Sequence, residues 1–327
     1  MGWKPEQITD LSGRTAVVTG ANSGIGVHEA TVLAAHGAHV VLAVRNTEAG
    51  ERVAASIDGS TSVEHINLAS LDSVRTFASR IDRPVDLLIN NAGLMQPPRY
   101  RETADGHELQ FGTNHLGHFA LTALLFEQLL RATAPRVVTV SSLAHFRGDA
   151  GVMAGNPAPT YSSGKAYGQS KLANLLFAVE LQRRAERAGL SLTSVAAHPG
   201  VAATGLFSNP DGLGSNPIVA KVLPIAMRAV LPGGAGGARP VLFAATDAEP
   251  GSYSGPKGPG EVRGPVGEAR RSRYARDEML ATKLWARSER LTGLSFAVSA
   301  SARTASSGRE SVQKGSASFD DICTLRW

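Results

Sequence analysis

The feature that most constrains this chain is an alternation of short, continuously apolar runs with segments of helical spacing. The runs are centred in residues 14–19 (RTAVVT), 38–44 (AHVVLAV), 85–89 and 136–140 (RVVTV), and the more mixed 63–66 (VEHI) and 191–196 (SLTSVA) continue the alternation. Between them, residues 25–36, 46–57, 71–81, 106–131 and 165–188 repeat apolar positions at helical intervals. A strand that is apolar at every position buries both of its faces. Such strands, each followed by a helix, predict an α/β fold: a doubly wound parallel sheet covered on both sides. No break in composition falls within residues 10–295, so residues 14–296 are expected to form a single domain behind an N-terminal extension, residues 1–13.

Two stretches leave the pattern. Residues 201–232 are apolar but punctuated by Gly and Pro, and they follow the C-terminal end of a strand. Ligands collect at such ends, so a flap over a lipophilic substrate is expected there. Residues 297–327 hold seven serines and five alanines without periodicity, which predicts a disordered tail.

Composition narrows the function. The single cysteine, Cys323, excludes a disulfide framework and a cysteine-cluster metal site, and no metal is expected. The apolar stretch 116–130 is broken by His118 and Glu127, short of the roughly 18 residues a membrane span needs. The first ten residues are polar and lack the apolar core of a secretory signal, so a cytoplasmic location is expected. The net charge of +5 is local: residues 1–262 carry 21 basic and 21 acidic side chains, residues 263–327 carry 12 and 7. A charge spread over a late helix and a tail does not form a nucleic-acid footprint.

Three clusters carry chemistry. Thr19-Gly20-Ala21-Asn22-Ser23-Gly24-Ile25-Gly26 joins the first strand to the first helix. Glycines there allow a tight turn and let a phosphate approach the free N–H groups and positive dipole end of the helix. Tyr167 and Lys171 stand four residues apart on a helix, so phenol and ammonium share one face. Asn90-Asn91-Ala92-Gly93 and Ser141-Ser142 directly follow the fourth and fifth strands, and Asn114 lies in the long helix between them.

Together these residues resemble the short-chain dehydrogenase/reductase family. The matches are TGANSGIG (19–26), NNAG (90–93), Asn114 in NHLG, Ser142 in VSS, YGQSK (167–171) and HPG (198–200). The resemblance is to the retinol-dehydrogenase-like branch, through SSLAH (141–145), SKLAN (170–174), LWARSE (284–289) and LTG (291–293). It implies a single-domain Rossmann-type fold and an NAD(P)-dependent oxidoreductase. It implies Tyr167 as general acid/base and Lys171 as the cation that favours its phenolate and holds the nicotinamide ribose. It further implies Ser142 at the substrate oxygen and Asn114 on a water beside Lys171. Cofactor contacts are implied for Gly20, Asn22, Ser23, Gly24, Ile25 and Gly26, for Asn67 and Leu68 beside the adenine, and for Asn91, Ala92 and Gly93. Pro199, Gly200, Val201 and Thr204 complete that set with Tyr167 and Lys171.

Arg45 selects the dinucleotide. Readers of NAD in this family place an acid at the end of the second strand, where this chain has Val44; Arg45 stands one residue past that strand, where the ribose 2′ position is expected. A guanidinium there suits a 2′-phosphate, so NADP(H) is expected over NAD. The expected reaction interconverts a carbonyl and an alcohol on a small lipophilic molecule, retinoid-, steroid- or aldehyde-like. The alternatives are a carbon–carbon double-bond reductase similar to the protochlorophyllide reductases, and a dinucleotide-sensing regulator without catalysis. His115, His118, His145 and His198 are expected to be structural. The outer faces of the two long helices could pair copies of the chain into a homo-oligomer.

Overall fold

The computed structural model describes residues 2–200 and 234–296. The flap expected at 201–232, the tail at 297–327, and Val201 and Thr204 lie outside the described residues.

The strands β1 (Thr15–Thr19), β2 (His39–Val44), β3 (Thr61–His65), β4 (Leu87–Asn90), β5 (Arg136–Val140), β6 (Thr193–Ala197), β7 (Tyr253–Pro256) and β8 (Val266–Glu268) form one sheet. Their order is β3-β2-β1-β4-β5-β6-β7-β8. All neighbouring pairs are parallel except β7 with β8. The expected doubly wound sheet is therefore present, with an antiparallel edge strand added. That edge was hidden because 256–265 is rich in Gly and Pro and carries no strand-like alternation. The chain leaves β1 toward β2 on one side and returns to β4 on the other. The ends of β1 and β4 are thus the switch point at which such sheets bind ligands.

Helices α1 (Gly24–Ala35), α2 (Thr47–Ala54) and α8 (Gly234–Thr246) cover one face; α3 (Leu71–Arg80), α5 (Gly117–Leu124) and α7 (Ser163–Arg187) cover the other. On the first face Val18, Leu42, Ile89, Val138 and Val195 pack beneath Leu33 and Val241. On the second, Val17, Leu88 and Val137 pack with Phe77, Leu121 and Leu181. The last helix, α9 (Glu278–Thr292), starts on Asp277, which accepts from Leu280 N at 2.9 Å, and stops at Gly293 in a left-handed conformation. It locks onto α7. Trp285 stacks on Phe177 at 5.7 Å and lies under the Arg184 guanidinium at 4.5 Å, and Thr282 donates its hydroxyl to the fully buried Glu180 at 3.3 Å. Truncating such a buried tryptophan typically costs roughly 3–5 kcal/mol. Among the described residues no helix is long and apolar enough to cross a membrane.

The helix expected over 106–131 is broken. It consists of α4 (Leu109–Phe111), a π-helical turn (Gly112–Leu116), α5, and α6 (Phe126–Leu130) beyond a break at Leu125. Glu108 caps its start by accepting from Gln110 N and Phe111 N. A Cβ on Gly117 would run into Leu68 O, so only glycine permits this approach to the loop after β3. The wide turn is local, and such turns recur at functional sites.

Candidate active site

The glycine loop is built from backbone. Gly20 has φ +70°, and its N–H donates to Ala43 O on β2. A Cβ on Gly26 would lie 2.6 Å from Gly20 O and 2.7 Å from Asn91 Nδ2, so this helix position must stay bare. Ser23, the N-cap of α1, makes no side-chain cap bond, and the first turn holds no acid. The leading N–H groups around Gly24, Ile25 and Gly26, flanked by Asn22 and Ser23, are thus left as donors for an anion.

Thr19 ties this loop to the next. Its Oγ1 accepts from Asn91 N and Ala92 N, both at 2.9 Å, and Asn91 Nδ2 donates to Thr19 O at 2.8 Å. With both lone pairs spent, the Thr19 hydroxyl can only donate, and it faces His118 Nε2 at 3.0 Å and Ile89 O at 3.2 Å, so Nε2 finds no lone pair there for a hydrogen of its own. The His118 proton therefore sits on Nδ1, which donates to Asn114 O at 3.0 Å. Burial holds this imidazole neutral, pushed down to about 4. Sequence reasoning passed over Thr19 and the bridging role of His118; the 99-residue separation of the pair leaves no local signal.

Tyr167 and Lys171 lie on the buried face of α7, as their spacing predicts, and the Lys171 ammonium is 5.8 Å from the Tyr167 ring centroid. Lys171 Nζ donates to Val140 O at 3.1 Å, and Asn174 Nδ2 donates to the same carbonyl at 3.0 Å. Ser141 Oγ donates to Lys171 O at 2.7 Å, fastening α7 to the end of β5. Ser142 follows β5 and caps a short 3-10 turn, accepting from Ala144 N at 3.2 Å. Asn114, in the π turn, spends its amide on the protein. Oδ1 accepts from Leu94 N at 2.9 Å, and Nδ2 donates to Leu94 O and Ser170 Oγ, both at 3.0 Å.

Two of these groups, Asn114 and Lys171, converge on one bare glycine. A Cβ on Gly93 would stand 3.3 Å from Asn114 Oδ1 and 3.5 Å from Lys171 Nζ. The space kept open there is lined by an acceptor and an ammonium, a cradle suited to sugar hydroxyls. The expected lowering of the Tyr167 phenol is absent from the free protein. Burial pushes it up to about 12, while the Ser142 hydroxyl beside it pulls the other way. Burial also brings Lys171 down to about 8. Desolvation disfavours both charged forms, and the Lys171 ammonium is engaged by a carbonyl rather than by the phenol oxygen.

Further out, Arg45 is exposed one residue past β2, where it was expected. Asn67 turns its carbonyl oxygen to Ala69 N at 3.1 Å, so the acceptor expected for adenine is already engaged once, while Leu68 is buried against α5. Pro199 and Gly200 follow β6, beside the end of β5, where Ser141 N donates to Ala197 O at 2.8 Å.

A glycine-lined switch point beside a buried Tyr–Lys pair and a serine at the next strand end defines a dinucleotide-dependent oxidoreductase. The short chain dehydrogenase model matches residues 14–211. The chain belongs to the short-chain dehydrogenase/reductase family, in its retinol-dehydrogenase-like branch, and is an NAD(P)-dependent oxidoreductase. It is 40% identical to human retinol dehydrogenase 13 over 294 residues, 87% of this chain and 86% of that one. It is 40% identical over 221 residues to the chloroplastic short-chain dehydrogenase TIC 32 B of Brassica napus, covering 63% and 68%. A crystal structure of an uncharacterized protein from Mycobacterium paratuberculosis superposes with a TM-score of 0.77 at 41% identity, covering 91% of this chain and all of that one. A gluconate 5-dehydrogenase structure from Beutenbergia cavernae with bound NADP superposes with a TM-score of 0.55 at 27% identity, covering 75% and 95%.

Proposed function

We propose that this protein is an NADP(H)-dependent oxidoreductase that interconverts a carbonyl and an alcohol on a small lipophilic substrate. The observation that carries the reading is the convergence of Lys171 and Asn114 on the space above Gly93, with the Tyr167 ring 5.8 Å from the same ammonium and Ser142 beside the phenol. When bound, the nicotinamide supplies or accepts the hydride. Lys171 holds the ribose hydroxyls, Ser142 donates to the substrate oxygen, and Tyr167 gives that oxygen its proton. The free protein carries a neutral phenol and an ammonium at pH 7. That is the state required to protonate a carbonyl oxygen, so the resting site is set for reduction. Oxidation requires the phenolate, which burial opposes and a nearby positive charge favours.

Relatives named retinol dehydrogenase support a lipophilic substrate, and neighbours solved with NADP support the cofactor. Nicotinamide absorbance with NADPH or NADH against a panel of aldehydes, ketones and enones tests the reading; oxidation of NADPH by none of the carbonyls would refute it. Arg45 is the group we assign to the 2′-phosphate. Arg45→Ala is expected to weaken NADPH about ten- to a hundredfold and to leave NADH nearly unchanged. Calorimetry with both cofactors at fixed salt checks this, and equal losses would remove the assignment.

A further inference from the structure

Behind the active site lies a buried pair of ionisable side chains that the reaction does not use. His198 follows β6 directly and is fully buried. Gly200 N donates to its Nδ1 at 3.1 Å. That nitrogen must therefore carry a lone pair, and the ring hydrogen of the neutral imidazole sits on Nε2. Nε2 faces Glu261 Oε2 at 3.5 Å, and neither atom has another partner among the described residues. Glu261 is itself unusual. It is buried, it has φ +56° in a residue other than glycine, and its Oε1 accepts from Arg270 N at 3.0 Å and Arg270 Nε at 3.3 Å. Non-glycine residues are held in that region only where surrounding structure imposes it, and such strain gathers near functional sites.

The imidazole holds one thing of consequence: the turn Pro199–Gly200. Proline has no N–H to anchor, so the Gly200 N–H on His198 is the link that pins the turn to the imidazole. Gly200 has φ +72°, and a Cβ there would run into Val262 O. The turn stands directly over the catalytic strand end. Ala197, the residue before His198, pairs with Val140, whose carbonyl receives Lys171 and Asn174. The ring's place is also reserved from below, because a Cβ on Gly255 would collide with it.

We propose that His198, oriented by Glu261, is a positioning residue that fixes the Pro199–Gly200 turn against the nicotinamide end of the bound dinucleotide. This rests on the dinucleotide reading above. The pair touches neither the phosphate loop nor Arg45, so its effect is confined to one half of the ligand.

Two near-isosteric substitutions separate the two bonds. In His198→Asn the side-chain oxygen takes the place of Nδ1 and still accepts from Gly200 N, but nothing reaches Glu261. In His198→Gln the terminal group reaches Glu261, but no acceptor stands at the Nδ1 position. Dissociation constants are measured by calorimetry for NADPH and for 2′,5′-ADP, which carries the adenine half alone. His198→Gln is expected to weaken NADPH about tenfold and to leave 2′,5′-ADP within about twofold. His198→Asn is expected to recover most of the loss. With a carbonyl from the panel, a C4-deuterated NADPH should give a larger primary isotope effect in the Gln variant, because a loosened nicotinamide slows hydride transfer. Binding of 2′,5′-ADP also reports that each variant is folded. Parallel losses on both ligands, or equal behaviour of the Asn and Gln variants, would overturn the proposal. A wild-type protein that binds no NADPH would instead overturn the dinucleotide reading, and this inference with it.

Discussion

The two halves of the sheet offer a ligand different materials at their strand ends. At the ends of β1 and β4 the parts are backbone: the left-handed Gly20, the bare Gly26, the uncapped start of α1 and the N–H groups of Asn91 and Ala92 drawn onto Thr19. At the ends of β5 and β6 the parts are side chains: Ser142, Tyr167, Lys171 and His198, each fixed by a partner distant in sequence. Backbone donors suit a phosphate, whose charge is constant and whose recognition needs no proton transfer. Side chains suit chemistry, because only they can gain and lose a proton. The difference predicts that damage to the first half appears in binding alone, and that damage to the second reaches the chemical step as well.

The largest effect should come from Tyr167→Phe. The ring and its burial stay, while the transferable proton goes. Loss of a positioned general acid/base typically costs about a hundredfold or more in kcat, and NADPH affinity should stay within about twofold. Steady-state kinetics beside calorimetry checks both. A Phe variant that kept most of its turnover would move the chemistry to another group.

Gly26→Ala tests the other half and should give the next largest effect. The added Cβ meets Gly20 O and Asn91 Nδ2, so the loop must shift from the conformation we propose for a bound phosphate. NADPH, NADH and 2′,5′-ADP should all weaken about tenfold or more, since all share that end of the molecule. Turnover at saturating cofactor should be largely kept. A fall in kcat at unchanged dissociation constants would break the division of labour drawn above.

Legibility followed the same division. A backbone site is written as spacing, so the glycine loop could be placed from residues 19–26 alone, and the i, i+4 pair on α7 from residues 167–171. The central strands were legible because each is buried at nearly every position and carries only apolar, Thr, Ser or Asn side chains there, with no charge, as burial on both faces demands. The side-chain network was not, because its partners meet only in three dimensions. His145 Nε2 accepts from Ser272 N across 127 residues, and His115 meets Ser288 across 173. The broken helix around Asn114 was hidden for a related reason. Its apolar spacing is helical throughout, and the π turn is set by tertiary bonds from Asn114 to Leu94 and Ser170. The downward pull on Tyr167 was expected from the helical proximity of Lys171. The dominant influence, burial of the phenol, depends on neighbours that spacing does not reveal.

The smallest effect concerns an ionisable group in the backbone-built half. Glu29 lies on α1, three residues past Gly26, and is fully buried, with neither carboxylate oxygen partnered among the described residues. Burial alone raises it from 4.5 to about 8. The folded protein therefore keeps the proton that the unfolded chain releases. A raised carboxyl favours the fold fully below pH 4.5, and that contribution is lost as pH rises through about 8. The wild type should thus lose stability between pH 5 and 8. Glu29→Met fills a similar volume without a group that needs a proton or a partner. The variant should melt roughly 5 °C higher at pH 8, with a smaller gain at pH 5 and NADPH affinity within about twofold. Thermal melts of both proteins across that range, followed by calorimetry at pH 7, make the comparison. A gain independent of pH would show that the carboxyl does not carry its proton into the fold. A lower melting temperature at pH 8 would show that the carboxylate is ionised and useful, and the phosphate-binding half would then own a working side chain after all.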